Sequence, residues 1–206
     1  LGLYGTGLQA RRHLVAMCAI RPIEEVRVYS RSADNREKFV AEMQTHCDVA
    51  IRAVDDPKDV ATGADLICCA TNTNVPALYG EWLSPGQHVT SIVNSTKGVK
   101  EQAGLAKTRR EIDDEVVRRA DMILVNIREQ SIVEEHGDLC EPIEQGITSW
   151  DDIVELGEIL TGKSEGRTSE DQITLFKQNS DQGVGFMGLA GMACDIAESK
   201  GIGIEV

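Results

Sequence analysis

The chain has 206 residues, 41% of them apolar, which is enough to bury a proper core and excludes a disordered chain. Its net charge of -13 argues against nucleic acid and anionic membranes as general partners. No apolar run of the roughly 18 residues needed to span a bilayer is present, and no signal peptide opens the sequence.

Residues 1–4 predict a short apolar strand, and 7–20 a helix with Leu8, Leu14, Val15 and Cys18 on one side. Because the sequence opens inside that strand, a piece of a longer chain is expected. "EEVRVYSR" (24–31) predicts a second strand. Ser32 is a suitable N-cap for a helix over 33–45 that turns Phe39, Val40 and Met43 inward. "DVAIRAV" (48–54) predicts a third strand. A short helix follows, with Pro57 near its first turn and Gly63 closing it. "ADLICCAT" (64–71) predicts a buried strand and "GQHVTSIV" (86–93) another. "RREIDDEVVRRA" (109–120) predicts a helix and "DMILVN" (121–126) a sixth strand. Beyond residue 130 the pattern turns helical and irregular, with a last helix over 184–200. The alternation of strands and helices predicts an α/β fold, a Rossmann-type doubly wound parallel sheet.

Two stretches carry glycine at dinucleotide-binding spacing. Gly5, Gly7 and Ala10 follow a strand, open a helix and precede a second strand by the length of a βαβ unit. Gly5 suits the tight turn, Gly7 lets backbone approach a pyrophosphate, and Ala10 permits close packing. The helix N-terminus then offers free N–H groups to phosphate. Gly183, Gly185 and Gly188 lack those neighbours. Gly185, Gly188 and Gly191 recur every three residues and share a helix face, which suggests packing against another backbone. A site role for the preceding loop, 177–183, stays open.

The end of the second strand selects the cofactor. Ser30, Arg31 and Ser32 place two hydroxyls and a guanidinium where a ribose 2′-phosphate would lie, so NADP(H) is favoured. NAD(H) remains the alternative, with Asp34 serving the ribose. The six cysteines form no C-x-x-C pair, and with four histidines no metal site is expected. Cys68 and Cys69 fall on opposite faces of a strand. Reduced thiols point to a cytoplasmic protein.

Other chemistry is weaker. "EEHGDL" resembles the H-G-D around the histidine of lactate and malate dehydrogenases, but the acid after the second strand is missing, and His136 is expected at the surface. His88 is expected as a satisfied strand histidine. Asp113 and Asp114 suit a helix start, and Arg109 and Arg110 a helix surface. Trp82 and Trp150 suit packing anchors. Lys177 suits either a cofactor contact or a half-buried structural lysine.

Several stretches together resemble the ornithine cyclodeaminase/mu-crystallin family: "GLYGTGLQARRHL", "VRVYSRS", "ADLICCATNT", "EWLSPGQHVTSIVNS", "RREIDDEVVRRAD" and "ELGEILTGKSEGRTSEDQITLFK". The resemblance implies an NAD(P)-binding domain over residues 1–178. It also implies a C-terminal helix, 179–206, that belongs to a second, mostly absent domain for substrate and homodimer formation. It implies hydride transfer at the C–N bond of a small amino acid or cyclic imine. A cyclising deaminase, or a cofactor- or ligand-binding protein without turnover, is the alternative.

By the same resemblance, Gly5, Thr6, Gly7, Leu8 and Gln9 meet the pyrophosphate, and Ser30, Arg31 and Ser32 the adenosine side. Ala70, Thr71 and Asn72 run under the nicotinamide ribose. Val93, Asn94 and Ser95 occupy strand-end active-site positions, and Gly183 with Val184 reaches the nicotinamide. Ser95 stands where cyclising members carry an aspartate, which favours an imine-reductase-like member and makes Ser95 the candidate catalytic position. The stretch 96–109 is longer than in well-known members and could reshape the pocket.

Overall fold

The computed structural model describes residues 1–178 and 183–204. Eight parallel strands form one sheet in the order β3-β2-β1-β4-β5-β8-β6-β7. The first half comprises β1 (Gly2–Tyr4), α1 (Leu8–Ile20), β2 (Glu25–Tyr29), α2 (Ala33–Met43), β3 (Ala50–Ala53), α3 (Lys58–Ala61), β4 (Leu66–Cys69) and β5 (His88–Ser91). The second half comprises α4 (Lys97–Gln102), α5 (Asp114–Arg119), β6 (Met122–Val125), α6 (Arg128–Val133), α7 (Gly137–Glu144), β7 (Val154–Glu155), α8 (Leu156–Leu160), β8 (Thr174–Lys177) and α9 (Val184–Ser199). Strand order runs outward in both directions from β1 and β4, so a crevice opens above their C-terminal ends.

The pleat divides the core. Leu3 and Cys68 belong to the cluster under α1 and α2, with Leu14, Val26, Val28 and Phe39. Tyr4, Ile67 and Cys69 belong to the other, with Val89, Ile112, Val116 and Leu175. Adjacent residues of one strand thus feed opposite cores, as period-two geometry requires. Trp82 and Trp150 pack against the second cluster while partly exposed.

Local signals act where expected. Ser32 Oγ accepts from Asn35 N at 3.3 Å at the head of α2. Gly63 takes φ +66° after α3. Asp113 caps α5, its Oδ1 accepting from Val116 N at 3.0 Å and from Gly80 N at 2.9 Å. The helix expected from residue 109 therefore starts at Asp114, because its N-cap Asp113 is extended and Ile112 bridges Leu78.

Two strands were not foreseen. β7 has two residues and β8 four. β8 lies between β5 and β6 and bonds to both, so its neighbours, more than its own propensity, hold it in the sheet.

α9 is apolar and outward-facing: Phe186, Met187, Leu189 and Met192 are all more than 60% exposed. Nothing lies within 4 Å of a Cβ built on Gly188 or Gly191, so the expected backbone partner is not among the described residues. No described helix is long and apolar enough to cross a membrane.

Candidate nucleotide cleft

A cleft of about 810 Å³ lies over the β1–β4 crevice. Its walls include the loop from Gly5 to Gln9, the β2 end at Ser30 to Ser32, the β4 end at Ala70 to Asn72, and Asn94 beyond β5. Most residues singled out from the sequence are thereby brought together, though they come from four separate loops.

The turn after β1 needs its glycine. Gly5 has φ +108°, and a Cβ there would stand 2.3 Å from the Ala70 carbonyl oxygen. Its N–H donates to Tyr29 O at 2.8 Å, which ties the turn to β2. Arg11 braces the loop from outside. It donates to the Thr6 carbonyl, pairs with Glu42 at 2.7 Å and lies over the Phe39 ring at 5.4 Å. Gly7 is the N-cap of α1 and supplies no capping side chain, so the first N–H groups of the helix face the cleft without one. A Cβ on Gly7 would meet nothing within 4 Å, so the space above it is open to a ligand.

At the β2 end, Arg36 is buried and fully engaged. It donates to the Ser30 carbonyl at 2.6 Å, pairs with Asp55 and lies over the Tyr29 ring at 5.5 Å. Arg31 is exposed on the cleft wall, with no ion-pair partner among the described residues. Asp34 does not line the cleft; it sits in the first turn of α2.

The far end rests on a buried polar network. Glu111 Oε1 accepts from Thr71 N and from Thr71 Oγ1 at 2.7 Å. Its Oε2 accepts from Ile92 N at 2.9 Å, Val93 N at 2.7 Å and Ser91 Oγ at 3.1 Å. One carboxylate thus fastens the ends of β4 and β5. Asp138 accepts from Glu111 N at 3.0 Å and sits 2.7 Å from Lys177 Nζ. Lys177 also donates to Val93 O at 2.9 Å and Ser91 Oγ at 3.1 Å. Burial holds the Glu111 carboxyl above its ordinary range, against the pull of Lys177 and the bonds from Thr71. The same burial pushes the Cys68 thiol up to about 12, leaving it unreactive.

Four residues stand differently from their sequence-based expectation. Arg109 precedes α5 and lines the cleft wall instead of a helix surface. His136 is 1% exposed rather than at the surface, because it is the N-cap of α7 and its Nε2 meets Glu134 at 2.9 Å. Burial holds its pKa below the ordinary value. Arg110 is buried and paired with Asp114 at 2.7 Å and Glu141 at 3.2 Å, not spread on a helix surface. Lys177 is wholly buried and faces Asp138 rather than the cleft.

Val93 and Ser95 lie behind the cleft wall, 2% and 0% exposed. The Ser95 carbonyl accepts from Gly137 N at 3.2 Å, and its hydroxyl has no partner among the described residues. Gly183, the N-cap of α9, lies near Ile127. Val184 opens α9; its side chain, and positions 179–182 of the loop before it, lie outside the described residues. Glu111 and Asp138 were not singled out from the sequence. The signals present were the acid of H-G-D at Asp138 and the acid between Arg110 and Ile112 in "RREIDDEVVRRAD", neither of which was given a role.

A sequence-family model described as the ornithine cyclodeaminase/mu-crystallin family matches residues 1–184. The chain belongs to that family. Among solved structures, the Δ1-pyrroline-2-carboxylate reductase of Thermococcus litoralis, in complex with NADH and L-proline, superposes with TM-score 0.81 at 30% identity. The match covers 100% of this chain and 60% of that one. A probable ornithine cyclodeaminase from Bordetella pertussis gives 0.78 at 29%, covering 99% and 61%. The ketimine reductase mu-crystallin of Mus musculus is 30% identical over 86% of this chain and 49% of its own length. The family member described here spans about half the length of the curated relatives it matches.

Proposed function

We propose that residues 1–178 form the NADP(H)-binding domain of an oxidoreductase acting at the C–N bond of a small amino acid or cyclic ketimine. One observation carries the reading: an uncapped helix N-terminus and an unpaired arginine flank one continuous cleft at the strand-order reversal. Diphosphate fits the first, where Gly5 and Gly7 keep Cβ atoms away and the N–H groups of Leu8 and Gln9 are free of side-chain caps. A ribose 2′-phosphate fits the second, where the Arg31 guanidinium can bond it between Ser30 and Ser32. The other half of the dinucleotide then lies toward Ala70, Thr71, Asn72 and Asn94, with Val93 shaping the floor and Gly183 and Val184 closing from α9.

When bound, a nicotinamide supplies the hydride chemistry. The chain's own part is to hold the ring over the β4 and β5 ends and to shape the space beside it. A protonated imine brings its own electrophilicity, so the reaction needs no carboxylate at Ser95. This favours reduction over cyclising deamination. α9, apolar and uncovered, suits a return into a second domain for substrate and for a homodimer, with 179–206 as that segment. NAD(H) is the second reading, favoured by the NADH bound in the Thermococcus litoralis enzyme.

Fluorescence titration with NADPH tests binding, and loss of nicotinamide absorbance on adding pyrroline-2-carboxylate tests turnover. Binding with turnover supports the oxidoreductase. Binding without turnover supports a cofactor-binding protein, and no binding removes the reading.

A further inference from the structure

Among the described residues, the charged side chains lining the cleft are Arg31 and Arg109; both are cations and no acid stands beside them. In a chain with 34 acidic residues against 21 lysines and arginines, that composition marks a wall suited to anions. The nucleotide reading uses Arg31 for a 2′-phosphate and the Leu8 and Gln9 amides for diphosphate. It leaves Arg109, the last residue of the stretch 96–109, without a role.

The segment that carries Arg109 runs past the end of β5. Glu111, two residues on, accepts from Ile92 N and Val93 N. A Cβ built on Gly137 would stand 2.9 Å from the Arg109 carbonyl oxygen, and Gly137 N donates to Ser95 O at 3.2 Å. Arg31 follows β2, three strand spacings from β5, roughly 14 Å away across the sheet. The two arginines thus stand at opposite ends of the cleft.

No hydrogen bond or ion pair joins the Arg109 guanidinium to a described residue, and its Nε, shielded from solvent, has no partner. The nearby acids face other groups. Glu111 holds the ends of β4 and β5, Asp138 faces Lys177 and Glu111 N, and Asp114 and Glu141 face Arg110. A shielded donor without an acceptor is costly unless a ligand supplies one. The planar fork of a guanidinium matches a carboxylate, two N–H groups to two oxygens.

We propose that Arg109 receives the carboxylate of the amino-acid or ketimine substrate at the nicotinamide end of the cleft. The inference rests on the oxidoreductase reading above and places part of substrate recognition in this domain. In an α-imino acid the carbon that takes the hydride is bonded directly to the carboxylate, so fixing the one positions the other.

The test measures two quantities on this chain: the Kd of NADPH by fluorescence, and the KM of pyrroline-2-carboxylate by nicotinamide absorbance. Arg109→Gln is expected to raise KM by about tenfold or more and to leave the NADPH Kd within about twofold. Arg109→Lys, which keeps the charge, is expected to recover most of that loss. An unchanged KM overturns the proposal. So does an equal loss in both quantities, which would assign Arg109 to the cofactor's diphosphate. If the unaltered chain binds NADPH without turnover, calorimetric titration of the NADPH-loaded chain with L-proline decides. Saturable binding that Arg109→Gln weakens by about tenfold or more is expected. No binding, or binding indifferent to the variant, overturns the proposal and leaves the nucleotide site standing. Failure of the unaltered chain to bind NADPH would instead remove the nucleotide reading, and this inference with it.

Discussion

The Asp138 carboxylate lies 2.7 Å from the Lys177 ammonium, and neither side chain reaches solvent. The pair joins the first turn of α7 to the last residue of β8, segments far apart in the chain. Through Ser91 and Val93 it reaches the end of β5, and through Glu111 the end of β4. The cleft floor is therefore set by charges that never touch the cleft.

Breaking the pair should be costly. Lys177→Met leaves two buried carboxylates without their cation and is expected to destabilise the chain by about 3–5 kcal/mol. Denaturant unfolding measures this. Adding Asp138→Asn should return part of the loss, and strictly additive losses would contradict coupling between the two.

The two glycines of the first loop should separate fold from ligand. Gly5→Ala forces a left-handed φ on alanine and a clash with Ala70 O, an expected cost of about 2–4 kcal/mol. Gly7→Ala meets open space and should change stability by less than about 1 kcal/mol. It should nonetheless weaken NADPH in a fluorescence titration, since the added methyl stands where diphosphate must approach.

Arg31→Ala should weaken NADPH far more than NADH, by about 1.5–3 kcal/mol if the charged hydrogen bond to the 2′-phosphate forms. Parallel titrations with both cofactors check this, and equal losses would assign the site to NAD(H).

Stability should fall in mild acid. Burial lowers the His88 pKa to about 4, and its ring nitrogens meet Thr174 Oγ1 at 2.7 Å and Thr90 Oγ1 at 3.1 Å. The unfolded chain gains a proton there below about pH 6.5, whereas the folded chain does not until about pH 4. Stability is thus full above that window and declines through it as pH falls, by about 3 kcal/mol at its foot. Unfolding curves from pH 7 to 4.5 should show this slope, and His88→Asn should flatten it.

Much of this architecture was legible from residues 1–93. Continuous apolar runs, the Ser32 cap and the Gly63 stop each act locally, so one sequence reveals them. The cleft followed from the same stretch, because Gly5, Arg31 and Thr71 all end strands of neighbouring βα units. The second half was harder. β8 is four residues long and takes its place from β5 and β6, a crossover that local propensity does not encode. Burial of His136, Arg110 and Lys177 depends on acids contributed by other turns and segments. In sequence each is only a charged or polar residue, and the default for such residues is the surface.

A crystal structure of this chain with NADPH tests the central claim most directly. The account predicts diphosphate within hydrogen-bond reach of the Leu8 and Gln9 amides, the 2′-phosphate on the Arg31 guanidinium, and the nicotinamide over Thr71 and Asn94. Cofactor density elsewhere, or a 2′-phosphate in solvent with Arg31 turned away, would contradict it.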